Sequence, residues 1–110
     1  MAIKKEHRLK VLNKYNKKCA YCGDEITLKS MEVDHIHPKA LGGLDELINY
    51  NPSCKQCNFY KSTFSIEGFR EQMSTLHERL MKPFINRLAL KHKILIYKPF
   101  DGEFYFEKLK

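Results

Sequence analysis

Cys19-Ala20-Tyr21-Cys22 and Cys54-Lys55-Gln56-Cys57-Asn58 stand 31 residues apart, and between them lies Asp34-His35-Ile36-His37-Pro38. The two Cys-x-x-Cys pairs decide the reading of the fold. Each pair supplies two thiolates from a single turn, and Zn²⁺ takes four such ligands as a tetrahedron with Zn–S of about 2.3 Å. Disulfides and redox chemistry are the rival uses of four cysteines. The segment Met1-Ala2-Ile3-Lys4-Lys5 lacks the apolar core of a secretory signal, and no apolar run approaches the length of a membrane span. The chain is therefore expected in the cytoplasm, away from membranes. There thiols stay reduced, and paired cysteines read as metal binding or redox chemistry. One pair would suit a redox site. Two pairs suit zinc better, with Cys19, Cys22, Cys54 and Cys57 as the ligands.

Length and charge point to one domain over residues 1–110. A chain of 110 residues can bury one modest core, and cores of that size often need a metal staple. The formal net charge of +7 is unevenly placed. Residues 1–18 hold seven Lys/Arg and one Glu, residues 19–62 four basic and six acidic side chains, and residues 63–110 nine basic and six acidic. A basic arm and a mildly basic tail thus flank an acidic-leaning centre. That layout suits a protein that grips a polyanion at its edges and holds a divalent cation in the middle. The pairs Lys4-Lys5 and Lys17-Lys18 are candidate phosphate contacts or a merely solubilising face.

The coarse pattern is α+β. Lys5 to about Asn16 reads as a helix with Leu9, Leu12 and Tyr15 as its apolar stripe. After the first knuckle, where Gly23 permits a sharp turn, Glu25–Leu28 and Met31–Ile36 read as two short strands joined around Lys29-Ser30. Pro38 and Gly42-Gly43 end regular structure. The second knuckle opens a short helix running to about Ser62. Ser65 is a candidate N-cap, and Ile66, Phe69, Met73, Leu76 and Leu80 follow at spacings of three and four, one buried helix face. Pro83 should kink or break that helix. Ile94-Leu95-Ile96-Tyr97 and Phe104-Tyr105-Phe106, around Asp101-Gly102, read as a β-hairpin.

The central loop carries the chemistry. Hydrolysis of a phosphodiester needs a base for water, a cation to stabilise charge on phosphate and leaving oxygen, and a frame that holds both. Histidine suits the base, with an unperturbed pKa near neutral. A carboxylate and an amide oxygen suit Mg²⁺. Asp34, His35 and Asn58 are the right types. Neighbouring strand residues face opposite sides, so the strand must end, twist or bulge at Asp34-His35.

The ordered set Cys19-x-x-Cys22, Asp34-His35-Ile36-x-Pro38, Gly42-Gly43, Asn49, Cys54-x-x-Cys57-Asn58-x-x-Lys61 resembles the HNH endonucleases of the ββα-metal fold. It is most similar to their zinc-stapled, treble-clef-like subset, found in phage-encoded, homing and restriction-type nucleases and related to the HNH domain of RNA-guided CRISPR nucleases. The resemblance covers residues 8 to about 62. It implies a DNA endonuclease with His35 as general base and a single catalytic Mg²⁺ or Mn²⁺ on Asp34 and Asn58. Asn49 would brace the loop, Lys61 would face phosphate, and His37 lies at a variable place, able to touch phosphate or help the metal. The family name would put histidine where Asn58 stands. The implied partner is DNA, double-stranded, met by a monomer or homodimer of bacterial or phage origin. A zinc-stapled DNA-binding module without catalysis and a redox or metal-storage protein are the other classes. The former should lack Asp34, His35 or Asn58, and all three are present.

Overall fold

The computed structural model describes residues 3–109; Met1, Ala2 and Lys110, the outer ends of the segments 1–18 and 63–110, lie outside the described residues. Helix α1 (Lys5–Asn13) is followed by the first knuckle, strand β1 (Glu32–His35), strand β2 (Tyr50–Ser53), and helix α2 (Lys55–Lys61), which starts inside the second knuckle. Helices α3 (Ile66–Ser74), α4 (Leu76–Leu80) and α5 (Phe84–Lys91) come next, and a 3-10 turn, Tyr105–Leu109, closes the chain. Strands β1 and β2 pair antiparallel in the register Glu32↔Ser53, Val33↔Pro52, Asp34↔Asn51, His35↔Tyr50. With α2 behind them they form the ββα unit expected of the zinc-stapled core.

The partner of β1 is not the one the sequence suggested. Glu25–Leu28 contributes only a bridge from Glu25 to Lys18. Thr27 and Ser30 exchange hydroxyl and backbone hydrogen bonds, and Met31 N–H donates to the Thr27 carbonyl at 2.9 Å. Such local side-chain bonds compete with a ladder and make this stretch a turn. Helix α1 also ends earlier than expected, because Asn16 and Lys17 take left-handed φ of 55° and 62°. It buries Val11 and Leu12, whereas Leu9 is exposed.

The C-terminal half departs further. Ser65 caps α3 as expected, its Oγ accepting from Gly68 N–H at 3.0 Å. The single kinked helix is three helices, broken at Thr75 as well as before Pro83. Of the expected stripe only Phe69 is fully buried; Ile66 and Met73 pack against the core, and Leu80 is exposed. Neither α4 nor α5 holds a buried residue.

No hairpin forms among the described residues of 94–106. Tyr105 N–H donates to the Tyr21 carbonyl at 3.1 Å and Phe106 N–H to the Ala20 carbonyl at 2.7 Å. The backbone donors a hairpin needed are spent on the zinc knuckle, and Phe104 is buried on Phe69 with ring centroids 4.7 Å apart. Asp101 does make a turn, its Oδ1 accepting from Glu103 N–H. Arg70 of α3 ties the returning chain down with a two-pronged bond to Glu107, both prongs 2.7 Å. Such fork-to-fork pairs are among the stronger polar contacts. The core is therefore an aromatic cluster of Tyr21, Phe69, Phe104 and Phe106 built against the first knuckle.

Candidate active site and metal centre

The four cysteine sulfurs lie within 4.8 Å of one another. Cys22 Sγ and Cys54 Sγ are 3.8 Å apart. A tetrahedron with Zn–S of about 2.3 Å has an edge of about 3.8 Å, so the donor set fits zinc and leaves no open position for substrate. Backbone amides support the sulfurs: Tyr21 N–H donates to Cys19 Sγ and Cys57 N–H to Cys54 Sγ, both at 3.4 Å. Charge makes the same point. The hydrogen bond from Cys57 pulls the Cys19 thiol down to about 4. Burial pushes Cys22 up to about 12, and the bond to Cys19 pushes Cys57 up as well. The cluster favours a thiolate at Cys19 and resists one at Cys22 and at Cys57, a conflict a bound cation resolves.

Strand β1 ends at His35, so Asp34 and His35 leave it on different faces yet line one cleft. That cleft, about 240 Å³, is lined among others by Asp34, His35, Pro38, Lys39, Asn58 and Ser62. Asp34 points inward and is only 4 % exposed. Tyr21 donates its hydroxyl to Asp34 Oδ2, and Lys61 Nζ lies 3.2 Å from Oδ1 and 3.1 Å from Oδ2. Burial raises the Asp34 carboxyl above its usual value, against the opposing pull of Tyr21 and Lys61. Burial, with the Asp34 charge second, likewise raises the Tyr21 phenol. His35 Nε2 meets Asp45 Oδ1 at 2.7 Å, and Tyr50 meets the His35 ring edge-on at 5.1 Å. Asn58, in the first turns of α2, is half-buried at the cleft wall.

Asn49 clasps the loop between the strands. Its Oδ1 accepts from His37 N–H at 2.9 Å, and its Nδ2 donates to the carbonyls of His37 at 3.0 Å and Leu44 at 2.9 Å. Gly43 packs so closely here that a Cβ would sit 1.7 Å from the His37 carbonyl oxygen. Only glycine allows that approach.

Other sequence candidates fall elsewhere. The His37 side chain is exposed and does not line the cleft. Lys4, Lys5 and Lys17 are exposed and Lys18 partly so. Lys61, expected to face phosphate, is 0 % exposed and donates to Asp34 and, at 2.9 Å, to the His35 carbonyl. Its place on the last turn of α2, behind β1, turns it inward. Sequence reasoning missed Tyr21, Asn51 and Asp45. Tyr21 lies between two of the clustered cysteines, Cys19 and Cys22, and Asn51 Nδ2 donates to its hydroxyl. Only their closeness to the motifs could have flagged them.

The sequence pattern of the HNH endonuclease family matches residues 19–74, half of the chain. The chain belongs to the HNH endonuclease family, a class of nucleic-acid-cleaving domains. It is also similar to the CRISPR-associated endonuclease Cas9 of Corynebacterium diphtheriae, 38 % identical over 52 residues, which are 46 % of this chain and 5 % of that protein. This chain thus corresponds to a small part of that relative's length. No solved structure gives a significant match.

Two outcomes are expected of the frame. Elemental analysis after dialysis should find about one zinc per chain, and Cys54→Ser should strongly destabilise the protein, since metal binding and folding are coupled in such sites; a cooperatively folding protein free of metal would contradict this. Replacing Lys61 by Met should cost roughly 3–5 kcal/mol in urea unfolding, because it leaves the Asp34 charge buried without its cation. A surface phosphate contact would cost almost nothing, so a loss below about 0.5 kcal/mol would reject the buried pair.

Proposed function

We propose that this chain is a metal-dependent DNA endonuclease that hydrolyses phosphodiester bonds, with His35 as general base. The observation that carries the reading is the single cleft shared by Asp34, His35 and Asn58, set against the cysteine-bound start of α2. Asp34 and Asn58 both offer oxygen there, the donor Mg²⁺ and Mn²⁺ favour. The Asn58 side-chain amide has no hydrogen-bond partner among the described residues, whereas its backbone N–H donates to the Cys54 carbonyl. When bound, that ion would supply positive charge against the phosphate and the departing 3′-oxygen.

The residues of the chain do the rest. His35 takes a proton from water, and the hydroxide oxygen bonds to phosphorus. The bond from phosphorus to the 3′-oxygen breaks, and that oxygen is protonated from solvent. The products carry 5′-phosphate and 3′-hydroxyl ends. Asn49 holds the loop in register with the strand that presents His35. Zinc on the four cysteines is structural, one domain spans the chain, and the substrate is duplex DNA. The basic face of α1 and the first knuckle grips its backbone. Lys14 is excluded from that grip, because its ammonium donates to the Tyr50 carbonyl at 2.9 Å and to Asn51 Oδ1 at 3.2 Å.

Supercoiled plasmid should be cut by the purified protein only when Mg²⁺ or Mn²⁺ is added. His35→Ala should lower the rate at least about 10²-fold while leaving DNA affinity near wild type. A His35→Ala protein that cuts as fast as its parent would sink the assignment, and DNA binding without cleavage in the wild type would favour a non-catalytic binding module. Affinity should also fall steeply with salt, because phosphate contacts release counterions. Neutralising Lys4, Lys5, Lys10, Lys17 and Lys18 should flatten that dependence, and an unchanged slope would remove the basic arm from the interface.

A further inference from the structure

Asp45 belongs to none of the sequence motifs, yet it is the polar partner of His35. Its Oδ1 lies 2.7 Å from His35 Nε2, and its Oδ2 lies 2.9 Å from the Lys39 ammonium. Those two hydrogen bonds, His35 first, hold its carboxyl below the usual carboxylate range. At neutral pH it is ionised and can only accept. A carboxylate facing Nε2 requires the proton to sit on Nε2. In the neutral ring the lone pair then remains on Nδ1, and Nδ1 has no hydrogen-bond partner among the described residues.

The pair is imposed by the loop and does not depend on two side chains finding each other. Asn49 bonds the main chain at His37 and Leu44, on either side of the loop, and Leu44 directly precedes Asp45. Gly43 N–H donates to the Pro38 carbonyl at 2.9 Å, and Gly43 tolerates no side chain. The Asp45 carboxylate is therefore delivered to His35 by backbone already fastened, while Tyr50 flanks the ring.

We propose that Asp45 is a positioning residue for His35: it fixes the ring and keeps a proton on Nε2, so that Nδ1 is the atom that takes the proton from water. This rests on His35 being the base, as proposed above. The proton from water ends on Nδ1, giving an imidazolium whose Nε2–H stays on Asp45. Asp45 is not itself protonated; its charge steadies the imidazolium, the logic by which a buried aspartate serves histidine in other hydrolases. The hydroxide oxygen goes to phosphorus and the 3′-oxygen leaves.

The test uses the full chain as wild type, Asp45→Ala and Asp45→Asn, with two independent readouts. The first needs no DNA: in protein carrying ¹⁵N-histidine, the His35 Nε2–H proton is assigned by its loss in His35→Ala. It should be visible and shifted downfield in the wild type, and lost to solvent exchange in Asp45→Ala. The second is single-turnover plasmid cleavage. Asp45→Ala should slow it at least about tenfold, with DNA affinity and the Mg²⁺ midpoint unchanged, and Asp45→Asn, which keeps an acceptor oxygen, should recover part of the rate. An Nε2–H signal that is absent from the wild type or indifferent to Asp45→Ala would overturn the proposal. So would an unchanged rate, or a shifted Mg²⁺ midpoint, which would make Asp45 a metal ligand. Should the wild type cut no DNA while the Nε2–H signal behaves as expected, the nuclease reading fails and the Asp45–His35 pairing stands.

Discussion

Four sulfurs within 4.8 Å of one another join two stretches of chain that the bond from Ala20 N–H to the Pro52 carbonyl, 2.8 Å, also draws together. The first knuckle is the platform for the aromatic core and for the returning C-terminal segment, whose backbone donors end on Ala20 and Tyr21. The second knuckle opens α2, with Cys54 as its N-cap. Besides the sulfur junction, α2 reaches β1 through the Lys61 ammonium on Asp34 and the exposed Lys55–Glu32 ion pair at 3.8 Å. The wall of the cleft depends on it for the same reason, since Asn58 directly follows the last cysteine.

A second constraint is the placement of charge inside a small core. Asp34 is buried beside the knuckle, and the fold surrounds it with a phenol and an ammonium rather than with solvent. Desolvated charges are costly unless paired and hydrogen-bonded. The Tyr21–Asp34–Lys61 chain meets both conditions and links the first knuckle, β1 and α2 in one polar network. His35 faces the other way, toward Asp45 and Tyr50. Two adjacent residues thus have separate supports, one from the core and one from the loop.

Beyond α3 the molecule changes character. No residue of α4 or α5 is buried, and Ile94 and Ile96 are 82 % and 88 % exposed. The radius of gyration, 16.0 Å, exceeds the roughly 13 Å usual for a chain of this length. No residue between Phe69 and Phe104 is buried; Phe104 completes the core, and an arm of helices lies between the two.

The sequence by itself determined the metal frame, the ββα class and the residue types at the cleft. These rest on short spacings, and a Cys-x-x-Cys turn or a Ser65 cap is made by neighbours along the chain. The resemblance implied that Asn49 braces the loop, and the Asn49 side chain makes three hydrogen bonds to loop backbone. Tertiary structure decided what depends on distant partners. β1 pairs with Tyr50–Ser53 because the hydroxyls of Thr27 and Ser30 claim the nearer stretch for a turn. The aromatic run at 104–106 gave no hairpin because its backbone donors found the knuckle first. Lys61 turned inward because Asp34 is buried and needed a cation, and Asp45 met His35 because Asn49 and Gly43 folded the loop over it. Spacing carries no information about which of two competing partners lies closer in space, and at each of these positions that competition set the outcome.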